Sequence, residues 1–167
     1  MKACLDVAYD DHDAVTACVL FEDWAAAAPS SEVLVTTSGV EAYEPGAFFK
    51  RELPCLLAAV RGLDTVDTIV IDGYVWLGAK RPGLGARLYE ALDARVPVIG
   101  VAKTAFHGND AAVPLVRGES KRPLFVTAVG LDVQTASRRI QAMHGSHRIP
   151  TLLSYADRLC RSKCSRA

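Results

Sequence analysis

The sequence lacks the features that mark membrane and secreted proteins. Its 167 residues contain no run approaching about 18 consecutive apolar side chains, the length that a membrane-spanning helix needs. The N-terminus lacks the basic and then apolar pattern of a signal peptide, because acidic residues interrupt it from Asp6 onward. These absences predict a cytoplasmic protein without a membrane partner. The length and the 50% apolar content suit one globular domain over residues 1–167.

The sequence also lacks an excess of either charge, since 19 basic residues balance 19 acidic ones. A neutral chain has no bulk attraction for a polyanion, so binding of nucleic acid would require a local basic patch. Disulfide pairing is not indicated, because the five cysteines are an odd number and Cys4, Cys18 and Cys55 lie in apolar runs. Those three are predicted to be reduced, buried thiols of a cytosolic protein.

Short apolar runs predict a sheet that begins as an antiparallel meander. Residues 3–9, 14–22 and 32–38 are rich in apolar and β-branched side chains, and an acidic turn over Asp10–Asp13 joins the first two. Three short strands in succession favour antiparallel neighbours.

Helices and strands are predicted to alternate after the turn at Pro45-Gly46. Apolar residues from Leu53 to Val60 recur at helical spacing, and Pro54 is predicted in the first helical turn, which places Glu52 near the helix start. Further strands are predicted at 68–72, 97–103 and 123–130, further helices at 84–94, 132–144 and 151–161, an irregular segment at 104–122, and a frayed tail at 162–167. This order predicts an α/β fold, a mixed sheet with helices on both faces.

Acidic residues stand in three strongly patterned segments: Asp6 in CLDVAYD, Glu52 in FFKRELP and Asp72 in TIVIDGY. The first and third end apolar runs that are predicted to be buried strands. A carboxylate at the tip of a core strand is costly unless it is hydrated, paired or bound to a cation. A lone aspartate there is usually a turn or a cap, whereas three carboxylates at one sheet edge predict a divalent-metal site, and such sites often serve phosphodiester cleavage.

The ordered motifs DVAY, Y-x-PG-x-F-x-RE-x-P, IDG, P-x-IGVAK, PLFV, RIP and YAD resemble those of endonuclease V, a family of inosine-specific nucleases. The resemblance runs from residue 3 to about residue 160, and its motifs are specific in combination. It implies a ribonuclease-H-like fold. It also implies Mg²⁺-dependent hydrolysis, with Mn²⁺ as a substitute, of the second phosphodiester on the 3′ side of an inosine in DNA or RNA.

The resemblance also assigns residues. Asp6, Glu52 and Asp72 match the family's metal-binding carboxylates, Asp157 matches a fourth position filled by Asp or His, and Lys103 matches the active-site lysine. A hard divalent cation prefers such oxygen ligands, and the lysine supplies positive charge to a phosphate or a water. The predicted substrate-binding residues are Tyr43, Pro45 and Gly46 in the wedge that replaces a displaced base, Phe48, Gly83 and Leu84 in the inosine pocket, and Lys80 and Arg81 in the intervening loop.

The segment after Asp72 departs from the family pattern. The family continues this aspartate as D-G-x-G and then H-P-R, but here Val75 replaces the second glycine and Gly78-Ala79-Lys80 replaces His-Pro-Arg. Lys80 or Arg81 can restore charge, although neither shuttles protons at neutral pH as histidine does. The wedge has Glu44, an acid that disfavours phosphate, and Phe48 is bulkier than the family's leucine, which leaves the base preference open.

Several alternatives stay open at this stage. Asp157 can pair with Arg158 or Arg161 instead of binding metal, and His144 and His147 with Cys160 and Cys164 form a zinc-like set on paper. The chain begins at the first strand without the helical stretch of its relatives, so a homodimer could cover that surface. The rival functions are a non-catalytic nucleic-acid-binding protein and a nuclease for another modified base or structure. The choice of DNA or RNA and the number of metals also stay open.

Overall fold

A computed structural model of the protein describes residues 1–10, 13–40, 48–79 and 81–164, except for the side chain of Phe48. Within these ranges the chain forms seven strands and four helices. The strands are β1 (Lys2–Tyr9), β2 (Asp13–Phe21), β3 (Ser31–Ser38), β4 (Thr68–Asp72), β5 (Val98–Ala102), β6 (Val113–Leu115) and β7 (Leu124–Val129), and the helices are α1 (Phe48–Val60), α2 (Leu84–Ala91), α3 (Val133–Ala142) and α4 (Thr151–Cys164).

The seven strands form one mixed sheet in the order β3-β2-β1-β4-β5-β7-β6. The first three are antiparallel neighbours, which confirms the predicted meander. Strands β1, β4 and β5 run parallel, and β7 returns antiparallel beside β5. The parallel centre matters for function, because neighbouring parallel strands bring their carboxyl ends to the same edge of the sheet.

Helices cover both faces of the sheet, as the sequence predicts. On one face α1 and α2 bury Leu56 and Leu88 against the strands, and on the other face α3 and α4 bury Ile140 and Leu152. Each such side chain contributes about 1.5–3 kcal/mol when it is fully removed from water. Because both faces are covered, β4 and β5 consist almost entirely of buried residues. No helix in the described ranges is long and apolar enough to cross a membrane.

The structure corrects three details of the sequence interpretation. Pro54 is the seventh residue of α1 and not in its first turn; it faces solvent, where water can replace the hydrogen bond that its nitrogen cannot donate. Strand β6 lies in the segment predicted to be irregular. The sequence pattern does not reveal this strand, because it is only three residues long and contains Pro114, which an edge strand tolerates. Helix α2 ends at Ala91, before Asp93 and Ala94, whose φ angles of 55° and 57° are left-handed.

All five cysteines are free and buried, including the three predicted from their apolar surroundings. Cys4 and Cys18 lie in the sheet and Cys55 lies in α1. Helix α4 continues to Cys164, three residues beyond its predicted end, because Cys160 and Cys164 pack against Val15 and Ala17. Burial raises the pKa of all five thiols, which leaves them protonated and unreactive at neutral pH.

A buried arginine organises the segment between α3 and α4. Arg117 is 3% exposed, and its guanidinium donates to the backbone carbonyls of Met143, Gly145, His147 and Arg148. These carbonyls follow the end of α3, where no further helical N–H groups are available to donate hydrogen bonds to them. Nothing in the local sequence indicates this role, because the interaction joins segments about 30 residues apart.

Substitution Arg117→Lys is expected to lower the free energy of unfolding by about 2 kcal/mol. A single ammonium cannot reach the carbonyls that the guanidinium spans, so some of them lose their donor inside the protein. Urea denaturation followed by circular dichroism measures the change. Arg138→Lys on the exposed face of α3 is the matched control, and equal stability losses in the two variants would show that Arg117 has no special role.

Candidate active site

Two predicted metal ligands leave neighbouring parallel strands at the same level. The pairing of β1 with β4 ends at Leu5 opposite Ile71, so Asp6 and Asp72 come next on their strands. Asp72 ends β4, as predicted. Asp6 does not end β1, which stays paired with β2 as far as Tyr9. Asp6 therefore marks the point where the parallel pairing stops, not the tip of its own strand.

Lys103 stands directly beside these carboxylates. Asp72 lies opposite Val101 on β5, and Lys103 follows two residues later on the same side of the strand. Its Nζ atom donates to Asp72 Oδ2 at 2.5 Å, and both side chains are partly exposed. This ion pair raises the pKa of Lys103 above its ordinary value, although burial opposes the shift. The lysine is therefore a permanent positive charge at the sheet edge.

Asp157 reaches the same place from helix α4. It lines a cavity of about 100 Å³ together with Asp6, Asp72 and Lys103. Its Oδ1 accepts a hydrogen bond from Arg161 Nε at 2.7 Å, one helical turn further along. Asp157 therefore pairs with Arg161 and also borders the carboxylate cavity, and its role as a metal ligand stays a prediction.

Glu52 approaches from the opposite face of the sheet on helix α1. It is 6% exposed, and its Oε2 atom has no hydrogen-bond partner in the part of the chain that the structure describes. Burial and then the charges of Asp6 and Asp72 raise the pKa of Glu52 to about 8. Burial and then Asp72 raise the pKa of Asp6 to about 6. The carboxylates are thus close enough to disfavour one another's ionisation.

This donor set fits a hard divalent cation in its chemistry. Such a cation prefers carboxylate oxygens, and it would relieve both the mutual repulsion and the unpartnered oxygen of Glu52. Across the described residues, however, no three His, Cys, Asp or Glu side chains stand close enough to share one ion. Glu52 comes from the other face, and Lys103 already bonds Asp72. His144, His147, Cys160 and Cys164 all lie in the described ranges and do not form such a group.

A second, larger cavity adjoins the carboxylates. It has a volume of about 380 Å³ and is here called the base cavity. Three residues predicted to bind substrate, Arg81, Gly83 and Leu84, line it, and Asp72 lines both this cavity and the smaller one beside the carboxylates. Sequence reasoning missed seven further lining residues, among them Phe49, Tyr74, Arg87 and Phe106, which come from separate segments. The Arg87 guanidinium carbon lies 3.6 Å from the centre of the Phe49 ring, a cation–π contact.

The segment after Asp72 is packed into the protein and does not extend as an open loop. Val75, which replaces the family's glycine, is fully buried, and its N–H donates to Thr127 Oγ1 at 2.8 Å. The Trp76 indole donates to the carbonyl of Ala128 at 3.0 Å. The Gly83 N–H returns to the carbonyl of Val75 at 2.8 Å. The departure from the family pattern is therefore a tightly anchored wall of the base cavity.

The substitution Gly83→Ala is expected to disturb this wall. A Cβ atom at Gly83 would lie 2.5 Å from the Tyr74 carbonyl oxygen and 3.0 Å from that of Val75, so backbone must move. A shift of this kind near a reacting centre is expected to lower turnover about tenfold or more. Steady-state cleavage rates test this, with Ala91→Ser at the exposed end of α2 as a control of similar size. Unchanged turnover in Gly83→Ala would contradict the expectation.

Some predicted residues cannot be placed in the site. Tyr43, Pro45, Gly46 and Lys80 lie outside the described residues, as does the side chain of Phe48. Their roles stay predictions. The motif RIP, in contrast, acquires a structural role: Arg148 donates to the carbonyl of Lys103 and, at 2.8 Å, to that of Pro123, which anchors the chain just beyond β5.

The fold is ribonuclease-H-like, with a cluster of carboxylates at one edge of its central sheet. The family model for Endonuclease V matches residues 1–131. Endonuclease V of Streptomyces avermitilis is 31% identical over 180 residues, which cover 94% of this chain and 77% of the relative. Endonuclease V of Nocardia farcinica is also 31% identical, with 96% and 79% covered. The chain belongs to the endonuclease V family, whose named members are nucleases.

Solved structures agree with this membership. The crystal structure of the Streptomyces avermitilis endonuclease V superposes with a TM-score of 0.75 at 30% identity, covering 96% of this chain and 79% of that one. Endonuclease V of Ciona intestinalis, solved in complex with a 24mer DNA containing an inosine followed by a ribo-adenosine, gives a TM-score of 0.77. At 16% identity over 97% of this chain and 84% of that one, the Ciona match supports the fold alone.

Proposed function

We propose that the protein is a divalent-metal-dependent endonuclease that hydrolyses a phosphodiester on the 3′ side of inosine in DNA or RNA, in repair or processing of nucleic acid. The observation that carries the proposal is the position of Asp72, which borders both the carboxylate cluster and the base cavity. A nucleobase bound in that cavity would position the phosphodiester backbone of its own nucleic-acid strand beside the acidic edge of the sheet. The choice of base follows membership of the endonuclease V family, of which the Ciona member was solved with inosine-containing DNA.

Following the family motifs, we assign Mg²⁺ or Mn²⁺ to Asp6, Glu52 and Asp72, with Asp157 alongside; these side chains do not converge on one ion in the described residues, so metal binding would have to draw them together. A bound divalent cation would lower the pKa of an attacking water and shield charge on the scissile phosphate. The buried Glu52 carboxylate fixes one side of this cluster from α1, because it is held 6% exposed against the sheet. The pairing of Asp157 with Arg161 limits the freedom of the fourth carboxylate.

Lys103 provides charge for the reacting phosphate. Its ammonium is partly exposed and lies within a cavity shared with Asp72 and Tyr74. A phosphate placed against Asp72 would therefore meet a compact positive charge that stabilises the developing negative charge on its oxygens. Arg148 bonds the Lys103 carbonyl and so restrains the backbone that carries this ammonium.

The base cavity supplies recognition of the substrate. Phe49, Tyr74 and Phe106 give it aromatic walls, and Arg81 and Arg87 place positive charge in the same lining. Removing a base from its stack costs a few kcal/mol, which contacts with aromatic side chains in the cavity would offset. The family's histidine is missing here, and Arg81 in the cavity lining would offer charge to a phosphate, whereas Arg87 lies over the Phe49 ring.

The test is cleavage of end-labelled single-stranded DNA and RNA that each contain one inosine, with Mg²⁺ or Mn²⁺ present. Matched strands with guanosine in place of inosine serve as substrate controls. The proposal expects one cut, one nucleotide beyond the inosine, that chelation of the metal abolishes. Binding without any cut would instead support the non-catalytic rival, which the Lys103–Asp72 ion pair favours, since that lysine occupies a ligand oxygen.

A further inference from the structure

An exposed aromatic ring beside the base cavity is held in a fixed position. Phe106 is 38% exposed. Among the described residues, Leu34 and Val116 are the other two large apolar side chains with at least this exposure. Its N–H donates to the Tyr74 hydroxyl at 3.1 Å, and that hydroxyl donates to the Thr104 carbonyl at 2.7 Å. The two rings meet edge to face, with centroids 6.2 Å apart.

The segment that carries this ring is anchored at a second point. The Asn109 side-chain amide donates to the Trp76 carbonyl at 2.7 Å, and its oxygen accepts from the Ala111 N–H at 3.1 Å. The Asn109 N–H also bonds the Phe106 carbonyl at 3.1 Å. An apolar ring that is exposed to water and yet held by several hydrogen bonds is pre-organised to contact a ligand.

Phe106 and Tyr74 separate two openings. On one side lies the base cavity, and on the other lies a groove of about 500 Å³, here called the flanking groove. Pro114 and Phe125, which are paired opposite each other on β6 and β7, also line the flanking groove, and so does Asp110. A third opening joins Lys103 and Asp72 to the same two aromatic rings. The base cavity, the flanking groove and the opening at the acidic edge therefore all share these two rings.

The charges around the rings indicate what the flanking groove can hold. Arg81 lines the base cavity, with its guanidinium carbon 5.7 Å from the centre of the Phe106 ring, and Lys103 lies at the acidic edge. Asp110, in contrast, stands in the flanking groove. A phosphate is therefore favoured near Arg81 and Lys103 and disfavoured beside Asp110. The groove suits an uncharged, flat ring whose edge offers an N–H donor.

We propose that the flanking groove is a second nucleobase site, which stacks the base next to the one held in the base cavity and favours bases with an exocyclic amino group. The proposal rests on the proposed function, because it assumes that a nucleic-acid strand crosses this edge. Aromatic stacking tolerates every base, whereas Asp110 can accept a hydrogen bond from a base whose edge presents an N–H donor such as an exocyclic amino group. The protein would thus read the sequence context of the deaminated base.

The experiment uses single-stranded DNA that carries one inosine and a fluorescent 2-aminopurine at the position before or after it. Binding to the full chain is measured in EDTA, so that no cleavage occurs. Stacking of 2-aminopurine in the groove is expected to quench its fluorescence at one of the two positions. Phe125→Leu, which changes the groove but not the base cavity, is expected to remove this quenching and to weaken binding about tenfold. Val116→Ala, an exposed change outside the groove, is the control.

Base selectivity provides a second readout that does not depend on Phe125. The wild type is expected to bind a strand with adenine at the quenched position about fivefold more tightly than one with unsubstituted purine, and Asp110→Asn is expected to abolish this difference. Asp110 is exposed, so this variant tests the groove even if Phe125→Leu fails to fold. Equal affinity for the two strands in the wild type would overturn the amino-group preference.

The outcomes separate this proposal from the proposed function. If inosine-containing strands are cut with metal, but neither quenching nor affinity responds to Phe125→Leu, the second base site is refuted and the nuclease stands. If quenching depends on Phe125 but no strand is cut with either metal, the nuclease is refuted and the base site stands.

Discussion

Replacement of Asp72 by asparagine is expected to reduce cleavage of an inosine-containing strand by about 10³-fold or more, the scale seen when a principal charge-stabilising group is removed. Asp72 is the residue on which the site converges. It stands beside Asp6 across the parallel pairing, bonds Lys103 at 2.5 Å and borders the base cavity. An amide keeps the shape of the side chain but removes its charge. It would therefore bind a divalent cation and the Lys103 ammonium more weakly than the carboxylate does.

The control for this prediction lies just before the same strand. Asp64→Asn removes one carboxylate from an exposed position that precedes β4 and is expected to leave cleavage unchanged. Single-turnover rates with saturating Mg²⁺ or Mn²⁺ separate the chemical step from product release. Strand binding in EDTA should change little in Asp72→Asn, because the base cavity keeps its walls. An asparagine variant that cuts at the wild-type rate would remove Asp72 from the catalytic cluster.

In the absence of divalent metal, the protein is expected to lose stability as the pH rises from 5 to 8. The folded protein raises the pKa of Asp6 to about 6 and that of Glu52 to about 8, mainly through burial. Unfolding returns both groups to their ordinary acidic values, so the unfolded chain releases protons that the folded chain keeps. The stabilisation is complete below pH 4 and is lost as the pH rises through the folded pKa values, by up to about 1.4 kcal/mol per unit and group.

The measurement is the free energy of urea unfolding in EDTA at pH 5, 6, 7 and 8, with an expected total loss on the order of 5 kcal/mol. Glu52→Gln removes one of the two titrating groups and should flatten the upper half of the profile. Added Mg²⁺ should restore stability most at pH 8, because a cation binds the ionised carboxylates. Stability that is constant or rises over this range in EDTA would contradict the assigned burial of Glu52.

Sequence patterns predicted the architecture well where the signal is local. The strands of the meander, β4, β5 and β7 follow runs of apolar side chains, and the helices follow helical spacing. The failures have two separate causes. Strand β6 depends on pairing with β7, through Pro114 opposite Phe125, and no short-range pattern reports such a partner. Pro54 lies in the second turn of α1 and not in the first. The sequence just before Phe48 offers no capping residue that would mark where the helix begins.

The active site was predictable only in part. Asp6, Asp72 and Lys103 could be placed because strand ends and family motifs locate them, and the structure does bring them together. Phe49, Tyr74, Arg87 and Phe106 could not, because their proximity arises from three separate segments that meet only in the fold. The role of Arg117, which lies outside this site, could not be predicted either. Its partners are backbone carbonyls, which every residue type carries.

The five buried thiols supply the unmodified chain with its own probes of local opening. A thiol-specific reagent reacts with a native cysteine only when the surrounding structure opens, so each labelling rate reports one part of the fold. Cys55 lies on α1, three residues beyond Glu52, whereas Cys4 and Cys18 lie in the sheet. If α1 lifts from the sheet without global unfolding, Cys55 should be modified first. The opening of α1 can then be followed by mass spectrometry of the modified cysteines, without substituting any residue.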